Sequence, residues 1–597
     1  MQLSKGQLDI MASKGHLLVT GGPGSGKTTI SILKAGQIID ALPSGHKVLF
    51  LSFARATVSR VMEAIDAEKD VAPEIKRRID VETYHSFFWR ILKAHGYLLG
   101  LPRRLTILTP PAEAIALSEV RHSHPGSSDG GKAAREVAEE KERWRLAKVE
   151  GRVCFDFYAD LVGDLLHQSS RVRQLVSTMY PCVILDEFQD TNAGQWRVVQ
   201  ALGRDCRLIA LADPEQRIFD FIGADPKRLD DFRGEFSPTE VDLSTDNHRS
   251  SGTEIAKFGN DVLKGVFQQT YAGVEFEVFE AFSNLAMSKL VTTIYGARQR
   301  LIHAGVKDWS LAILVPTKKM TRLVSDILRE PPGGMAAIRH TPVIDMEAAI
   351  LGSEVVAFLM QCPGFHQFED FVELVCNYYQ GKGGNEPTKS ALEMAARLHK
   401  AHQELKDSLR AQKPLRKTSI INATLAAYES ARGLVFTGNP DTDWQLVRSA
   451  LAGCACSRLN EIATEVRNIR ILERGTELRH ALSEDWRQNG SYRNSLKITR
   501  QAFVREHFSI GGKPERGVVV MNMHKAKGKQ FDEVIVFEGW PIKQKGKIIY
   551  NGDRIVRFNS KDEVDDQVRQ NLRVSVTRGK RRVTVMTPRI DPCVLLV

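Results

Sequence analysis

A glycine-rich turn near the N-terminus reads Gly21-Gly22-Pro23-Gly24-Ser25-Gly26-Lys27-Thr28-Thr29. The short apolar run His16–Thr20 precedes it and a helical pattern over Thr28–Ile39 follows, so the predicted order is strand, loop and helix. Glycines let backbone amides converge on phosphate at a helix N-terminus, where a lysine ammonium and a threonine hydroxyl can add contacts to phosphate and magnesium. The turn therefore predicts an α/β domain that binds ATP with Mg²⁺ through Lys27 and Thr28.

Two adjacent acids, Asp186 and Glu187, follow the apolar run Cys182–Leu185. In this position one carboxylate can hold magnesium while the next acts as the base that orients water, and we assign these roles to Asp186 and Glu187 in that order. An isolated acid pair after a strand is more often a helix cap or a solvated loop. The phosphate-binding turn earlier in the chain favours the catalytic interpretation.

Several more apolar runs have the length and composition of buried strands, and polar loop residues follow each of them. They are Val48–Ser52, Leu208–Ala212, Leu311–Val315, Val518–Val520, Val534–Phe537 and Val583–Met586. Helical patterns separate these runs, which favours an α/β fold with parallel sheets. Two helix-rich segments, 91–177 and 364–509, interrupt the pattern and are predicted to be insertions. The predicted α/β domains are 1–90 with 178–250, and 251–363 with 510–597.

The composition limits the classes of partner and location. The chain has 597 residues, with 83 Lys and Arg against 72 Asp and Glu, which gives a net charge of +11. This balance suits a nucleic acid because counterion release favours binding, although solvated surface charge would give the same balance. No apolar run reaches the roughly 18 residues of a membrane span, and Met1–Ile10 lacks the plan of a secretory signal. We expect a cytoplasmic protein with no membrane partner, whose eight scattered cysteines are buried thiols.

The acid pair belongs to the sequence Asp186-Glu187-Phe188-Gln189-Asp190-Thr191, which resembles the form of this element in the UvrD/Rep group of superfamily 1 DNA helicases. Further elements of that family follow in order. They are Leu3-Ser4-Lys5-Gly6-Gln7, Ser52-Phe53-Ala54-Arg55, Thr83-Tyr84-His85-Ser86-Phe87, 212–224, Asn247-His248-Arg249-Ser250, 524–531 and Val576-Thr577-Arg578-Gly579-Lys580. The resemblance covers Gln7 to about Thr587. It implies two RecA-like P-loop domains, 1A and 2A, that carry helical insertions 1B and 2B.

The resemblance also implies a nucleotide site. Its catalytic residues are Lys27, Glu187, Gln216, Arg249 and Arg578, of which Gln216 senses the γ-phosphate and the two arginines act as fingers. Its nucleotide contacts are Gln7, Gly22, Pro23, Gly24, Ser25, Gly26, Lys27, Thr28, Thr29, His248 and Gln530, and its magnesium ligands are Thr28 and Asp186. Gln7 would read adenine, and His248 stands where an aromatic ring usually packs on the base. Gln530 replaces the glutamate that the family generally uses for a ribose contact.

DNA contacts are implied at a third set of positions. They are Phe53, Arg55, His85, Phe219, Phe221, His524 and Lys525. The rings of Phe219 and Phe221 would stack on single-stranded bases, which holds a strand independently of its sequence. Taken singly, each phenylalanine is more typical of a core. Ala212 replaces the usual glycine and Ile222 a common arginine of the coupling element, so hydrolysis should survive while unwinding is weaker.

The implied function is an ATP-dependent DNA helicase or translocase that moves 3′ to 5′ on single-stranded DNA and meets duplex junctions, as in DNA repair. One alternative is a DNA-binding ATPase sensor or regulatory subunit that signals to a nuclease partner protein, as compact relatives do in anti-phage defence systems such as Gabija. The altered coupling residues favour this alternative slightly. An RNA-directed helicase is a further alternative, with less support because the Asp-Glu-Phe-Gln-Asp form resembles the DNA branch.

Overall fold

A computed structural model describes most of the chain. The described residues are 3–53, 55–124, 129–214, 225, 227–243, 252–281, 283–343, 346–362, 367–384, 388–410, 420–454, 456–467, 477–508, 515–545, 547–549, 551–556, 564 and 566–596. Within this part of the chain, no helix is both long and apolar enough to cross a membrane.

The strands alternate with helices through much of the chain. In chain order the strands are β1 (Leu17–Thr20), β2 (Val48–Ser52), β3 (Ile79–Thr83), β4 (Thr106–Leu108), β5 (Arg152–Cys154), β6 (Cys182–Leu185), β7 (Arg207–Ala212), β8 (Thr239–Asp242), β9 (Val274–Phe279), β10 (Ser310–Val315), β11 (His340–Val343), β12 (Gly517–Asn522), β13 (Phe531–Phe537), β14 (Ile542–Gln544), β15 (Lys547–Ile549) and β16 (Gly579–Pro588).

The α-helices cover the sheets and build the insertions. They are α1 (Lys5–Ala12), α2 (Lys27–Asp40), α3 (Arg55–Ala67), α4 (Pro73–Lys76), α5 (Tyr84–His95), α6 (Pro110–Ala116), α7 (Ser118–Ser123), α8 (Asp129–Arg145), α9 (Asp156–Gln168), α10 (Ser170–Met179), α11 (Ala193–Gly203), α12 (Arg228–Phe236), α13 (Ile255–Lys264), α14 (Ser283–His303), α15 (Lys318–Arg329), α16 (Glu347–Met360), α17 (Phe368–Gly381), α18 (Lys389–Arg410), α19 (Ile420–Arg432), α20 (Pro440–Ala452), α21 (Ser457–Val466), α22 (Glu477–Asn489), α23 (Ser495–Phe508) and α24 (Asp566–Val576).

The first sheet has the strand order β3-β2-β6-β7-β1-β8, and every neighbouring pair is parallel. Its four central strands are buried at nearly every position, since helices cover both faces of a parallel sheet. This explains why the sequence shows them as continuous apolar runs. The edge strands β3 and β8 carry partly exposed or charged positions, and the sequence analysis did not identify them as strands.

The second sheet has the order β11-β12-β10-β13-β16-β9 and is also parallel throughout. Neighbouring residues of one strand point to opposite faces, so Val519 and Val534 enter one core while Val520 and Ile535 enter the other. The predicted α/β fold with two RecA-like domains is confirmed by this pair of parallel sheets. The edge strands β9 and β11 were not predicted.

Contacts between Cα atoms group the chain into two compact units. One contains Met1–His95, Ala159–Ile344 and Ile510–Val597 and includes both six-stranded sheets. The other contains Gly96–Tyr158 and Asp345–Ser509. Residues 91–95 and 159–177, which were predicted to belong to the first insertion, therefore group with the sheets, whereas residues 346–362, which were predicted to belong to the second α/β domain, group with the other unit. The division into four domains with the boundaries given above remains a proposal.

The second unit is mainly helical, as predicted for the insertions. Helix α16 lies in its core and packs against α17, α20, α21 and α23. The unit also contains the two-stranded parallel sheet of β4 and β5, which the predominantly helical pattern of the first insertion did not indicate. Strands of three residues are too short to produce a recognisable periodicity.

A buried carboxylate organises the C-terminal half of this helical unit. Asp443 is fully buried and accepts hydrogen bonds from Thr437 N and Oγ1, from Gly438 N at 2.8 Å and from Tyr492 Oη at 2.7 Å. Each donor that loses its partner inside a protein costs about 1–3 kcal/mol. The carboxylate therefore ties the turn before α20 to the segment before α23.

We expect Asp443→Ala to lower the melting temperature by several degrees, because four donors, including the buried Tyr492 hydroxyl, lose their acceptor. Scanning calorimetry of the full chain measures the effect, with the exposed residue Glu404 replaced by alanine as the control. An Asp443→Ala variant that melts with the wild-type protein would show that the network contributes nothing to stability.

Candidate active site

The phosphate-binding turn lies between β1 and α2 with the geometry that its glycines allow. Gly24 and Gly26 both have φ of +84°, a left-handed conformation that favours glycine, and Gly26 caps the N-terminus of α2. At Gly21 a Cβ atom would come within 2.7 Å of Ser25 Oγ, so a larger residue would displace the turn. Lys27 Nζ donates hydrogen bonds to the carbonyl oxygens of Gly21 at 2.5 Å and Gly22 at 3.0 Å. The ammonium group thus lies over the turn that would hold the phosphates.

The acid pair follows β6 at the same edge of the sheet. The Asp186 amide donates to the Leu51 carbonyl oxygen at 2.9 Å, and Asp186 Oδ2 accepts from Ser52 Oγ at 3.1 Å. Glu187 has φ of +53° and ψ of +37°, a left-handed conformation that costs a non-glycine residue about 1–3 kcal/mol. The strand end thus holds two adjacent carboxylates in different orientations.

Gln189 connects this pair to the next strand. Its Nε2 donates to Glu187 Oε2 at 2.7 Å, and its Oε1 accepts from the Asp213 amide at 3.0 Å. Asp213 directly follows β7 and is buried, as is Gln189. Gln189 was quoted within the family element without a role of its own. The structure makes it the residue that fixes the Glu187 carboxylate relative to the end of β7.

The two acids have opposite electrostatic environments. Burial and the negative charge of Glu187 raise the pKa of Asp186 to about 7, against the Ser52 hydrogen bond and the charges of Arg60 and Lys27. Burial would also raise the pKa of Glu187, but Lys527, the hydrogen bond from Gln189, Lys27 and Arg578 hold it below its usual value. Glu187 is therefore the carboxylate that stays ionised, as the predicted base requires.

A cavity of about 290 Å³ joins the turn, the acid pair and residues near the second sheet. Its lining residues are Pro23, Gly24, Ser25, Gly26, Lys27, Thr28, Thr29, Thr57, Arg60, Asp186, Glu187, Leu211, Asp213, Gln530, Arg578 and Lys580. Most predicted nucleotide residues among the described ones therefore meet at one place. Gly22 lies in the turn but outside this lining, and Gln7 is buried in the capping box of α1, where its Oε1 accepts from the Ser4 amide at 3.1 Å. The predicted residues Gln216, Phe219, Phe221, His248 and Arg249 lie outside the described residues.

Three contacts cross between the two sheets beside this cavity. Asp190 and Lys527 form a buried ion pair, and Arg60 Nη1 donates to the Gly528 carbonyl oxygen. On α24, Arg573 Nη1 lies 3.8 Å from Asp213 Oδ1, and both side chains are buried. Burying a charge is costly unless an opposite charge accompanies it, so these pairs hold the two sheets in a defined arrangement.

Arg578 also belongs to this cluster of buried charges. Its Nε donates to the Val574 carbonyl oxygen at 2.8 Å, which fixes the side chain at the C-terminal end of α24. Burial lowers the pKa of Arg578 to about 10, while Glu187 and Asp213 oppose that effect, so the guanidinium is protonated at neutral pH. A cation from the second sheet therefore faces the cavity beside Glu187.

The predicted DNA residues lie at strand ends of both sheets. Phe53 follows β2, and its ring centroid is 4.7 Å from that of Tyr84. Arg55 is exposed at the start of α3, and His85 is partly exposed at the start of α5. His524 and Lys525 are partly exposed in the short helix after β12. Their accessibility permits contact with DNA, and a common path for a strand across them remains a proposal.

Sequence reasoning gave no role to several charged residues of the site. They are Arg60, Asp190, Asp213, Lys527, Arg573 and Lys580. Four of them stand inside quoted family elements, so the order of elements already placed them near the nucleotide. Arg60 and Arg573 lie outside those elements. The sequence signal that could have identified them is a charged residue within an apolar helical pattern, as in Leu572-Arg573-Val574.

The fold and the cavity define a class of protein: a P-loop nucleotide-binding protein with two RecA-like α/β domains. Residues 3–149 and 131–237 match the family model of the UvrD/REP helicase N-terminal domain. The ATP-dependent DNA helicase PcrA of Staphylococcus epidermidis is 21% identical over 360 residues, which cover 53% of this chain and 48% of that protein. PcrA of Staphylococcus aureus is 22% identical over 361 residues, with the same coverage. The chain is thus similar to UvrD/Rep-like helicases over its N-terminal part, and it spans about half the length of the curated relatives it matches.

The Asp190–Lys527 pair predicts a strong coupling between the two sheets. We expect Asp190→Asn and Lys527→Met each to lower the free energy of unfolding by about 3–5 kcal/mol, because each leaves one buried charge without its partner. The double variant should lose clearly less than the sum of the two, as contacting residues do. Calorimetric melting of the four proteins measures this cycle.

The exposed pair of Arg233 and Asp230 provides the matched control. Alanine at either position should change stability by less than about 0.5 kcal/mol. Additive losses at Asp190 and Lys527 would mean that the two charges do not stabilise each other.

Proposed function

We propose that the chain is an ATP-dependent DNA helicase or translocase that moves along single-stranded DNA. The observation that carries the proposal is the composition of the cavity: the phosphate-binding turn and acid pair come from the first sheet, while Gln530 and Arg578 come from the second. A nucleotide bound there would contact both sheets at once. Its binding and hydrolysis would then change how the sheets are held together.

The residues present fit magnesium. The Thr28 hydroxyl and the Asp186 carboxylate are oxygen ligands on one cavity, which is the small protein donor set that Mg²⁺ uses when phosphates supply the rest. The bound ion would neutralise charge on the phosphate oxygens. Lys27 and Arg578 add positive charge from opposite sheets, where it stabilises charge that develops on the γ-phosphate. Glu187, ionised and held by Gln189, orients the attacking water.

The cross-sheet contacts support a link between hydrolysis and movement. Asp190 lies three residues after Glu187, and Lys527 three residues before Gln530, so the ion pair joins the two halves of the nucleotide site. The partly exposed Phe53 and exposed Arg55 follow Ser52, whose hydroxyl bonds to Asp186. A movement of the acid pair can therefore be transmitted through Ser52 to the proposed DNA residues that follow β2.

The finer parts of the proposal rest on the resemblance. They are movement in the 3′ to 5′ direction, action at duplex junctions and a role in DNA repair; a cytoplasmic location is proposed as well. The rival proposal, an ATPase subunit that signals to a nuclease in anti-phage defence, uses the same nucleotide site. Strand displacement on DNA and RNA duplexes separates these functions: unwinding of DNA supports the helicase, and DNA-stimulated hydrolysis without unwinding supports the subunit.

We expect Lys27→Ala and Glu187→Gln to fail in different ways. The first removes the charge that the phosphates need and should weaken ATP binding, whereas the second keeps the shape of the site and should bind ATP but abolish turnover. Equilibrium binding of a fluorescent ATP analogue and phosphate release measure the two effects. Glu74→Gln, an exposed acid of the same unit, is the control. Unimpaired turnover in either site variant would refute the assigned site.

We expect Arg55→Ala to weaken binding of single-stranded DNA for all sequences alike, because a phosphate contact carries no base information. The slope of log affinity against log salt concentration should fall by about 1, since one phosphate contact is lost. Fluorescence anisotropy over a range of salt concentrations measures both effects. The exposed residue Arg204, changed to alanine, is the control. An unchanged affinity and slope would place Arg55 outside the DNA path.

A further inference from the structure

We propose that Arg60 binds the γ-phosphate of ATP, as an arginine supplied by the first sheet in addition to Arg578. This inference rests on the proposed function and deepens it, because it assigns a phosphate ligand to a residue that the family elements do not include. Arg60 lies on α3, five residues after the predicted DNA contact Arg55.

The helix α3 directs two side chains into the nucleotide cavity. Thr57 and Arg60 are three residues apart and therefore share one helix face, and both line the cavity with Lys27 and Glu187. The helix begins shortly after Ser52, the residue that bonds to Asp186. Arg60 thus lies only eight residues along the chain from this link to the acid pair.

The surroundings of Arg60 favour a role in binding an anion over a purely structural role. Arg60 is only partly exposed, and it lines the cavity. Burial lowers the pKa of its guanidinium, while the carboxylates of Asp186 and Glu187 oppose that effect. Those carboxylates also attract magnesium and water in the proposed reaction. A terminal phosphate would provide Arg60 with a further anionic partner at the same place.

The charge of the cavity lining also favours a phosphate ligand. It contains four cations, Lys27, Arg60, Arg578 and Lys580, against the three carboxylates of Asp186, Glu187 and Asp213. The surplus of positive charge suits a polyphosphate. Arginine has a planar fork of donors that matches the geometry of phosphate oxygens, which a lysine ammonium lacks.

Arg60 also contacts the opposite sheet. Its Nη1 donates to the carbonyl oxygen of Gly528, which lies between Lys527 of the buried ion pair and Gln530 of the cavity. A guanidinium that holds this carbonyl and the γ-phosphate together would stabilise the closed arrangement only while the γ-phosphate is present. The same residue would then distinguish ATP from ADP and report the difference across the two sheets.

The test compares ATP with ADP in the full chain. We expect Arg60→Ala to weaken binding of a non-hydrolysable ATP analogue by about tenfold or more, the loss of one charge-assisted contact, and to change ADP binding by less than about twofold. Turnover should fall as well. Arg60→Lys should be intermediate, because it keeps the charge and loses the fork. Isothermal titration with both nucleotides gives the affinities, and Arg204→Ala is the control for loss of a surface charge.

The outcomes separate the inference from the proposed function. A merely structural Arg60 predicts that both nucleotides weaken together or that neither changes, and either result would overturn the inference. If Arg60→Ala melts well below the wild type, the ATP and ADP affinities of Arg60→Lys decide between the phosphate-binding role and the structural role. Suppose that the wild-type protein hydrolyses ATP, that Lys27→Ala does not, and that the Arg60 variants show no selective loss of ATP binding. These results would overturn only the inference about Arg60. A wild-type chain that binds no ATP contradicts both.

Discussion

Parallel strands place their carboxyl ends at the same edge of a sheet, and the candidate site depends on this constraint in the first sheet. In the first sheet it brings the turn after β1, the carboxylates after β6 and Asp213 after β7 to one edge. The second sheet contributes Gln530, Arg578 and Lys580, which lie at the amino ends of the neighbouring strands β13 and β16. The chemistry is thus assembled from residues that are up to several hundred positions apart, and no single loop contains it.

Charge then determines how the two sheets meet. The buried carboxylates of Asp190 and Asp213 pair with the buried cations Lys527 and Arg573 from the second sheet, and each pair offsets the cost of burying its two charges. Among the carboxylates, Asp186 is biased towards protonation and Glu187 towards ionisation by their different neighbours. The asymmetry arises because Lys527 and Arg578 of the second sheet lower the pKa of Glu187, whereas burial and the neighbouring Glu187 charge raise that of Asp186. The two adjacent carboxylates therefore suit different roles, Asp186 as the proposed magnesium ligand and Glu187 as the proposed base.

The sequence predicted those parts of the structure that rest on local patterns. Val48–Ser52 and Cys182–Leu185 agree with the observed strands because a strand covered on both faces appears as an unbroken apolar run. The edge strands β8 and β9 escaped prediction because charged residues such as Glu240 and Glu275 interrupt their apolar positions. The turn Gly21–Thr29 and the acid pair were recognisable for the same local reason. Arg60 and Arg573 were not, because their roles depend on partners from another part of the chain.

If residues of both sheets act on one nucleotide, turnover must depend on Arg578 of the second sheet. Arg578→Gln removes the cation of the second sheet while the phosphate-binding turn and Glu187 remain. We expect turnover to fall by about 10³-fold or more, as for other arginine fingers, while ground-state ATP affinity changes much less. Rapid-quench hydrolysis and equilibrium binding, with calorimetry to verify folding, measure the two quantities. A well-folded Arg578→Gln variant that loses ATP affinity and keeps its catalytic rate would contradict this dependence.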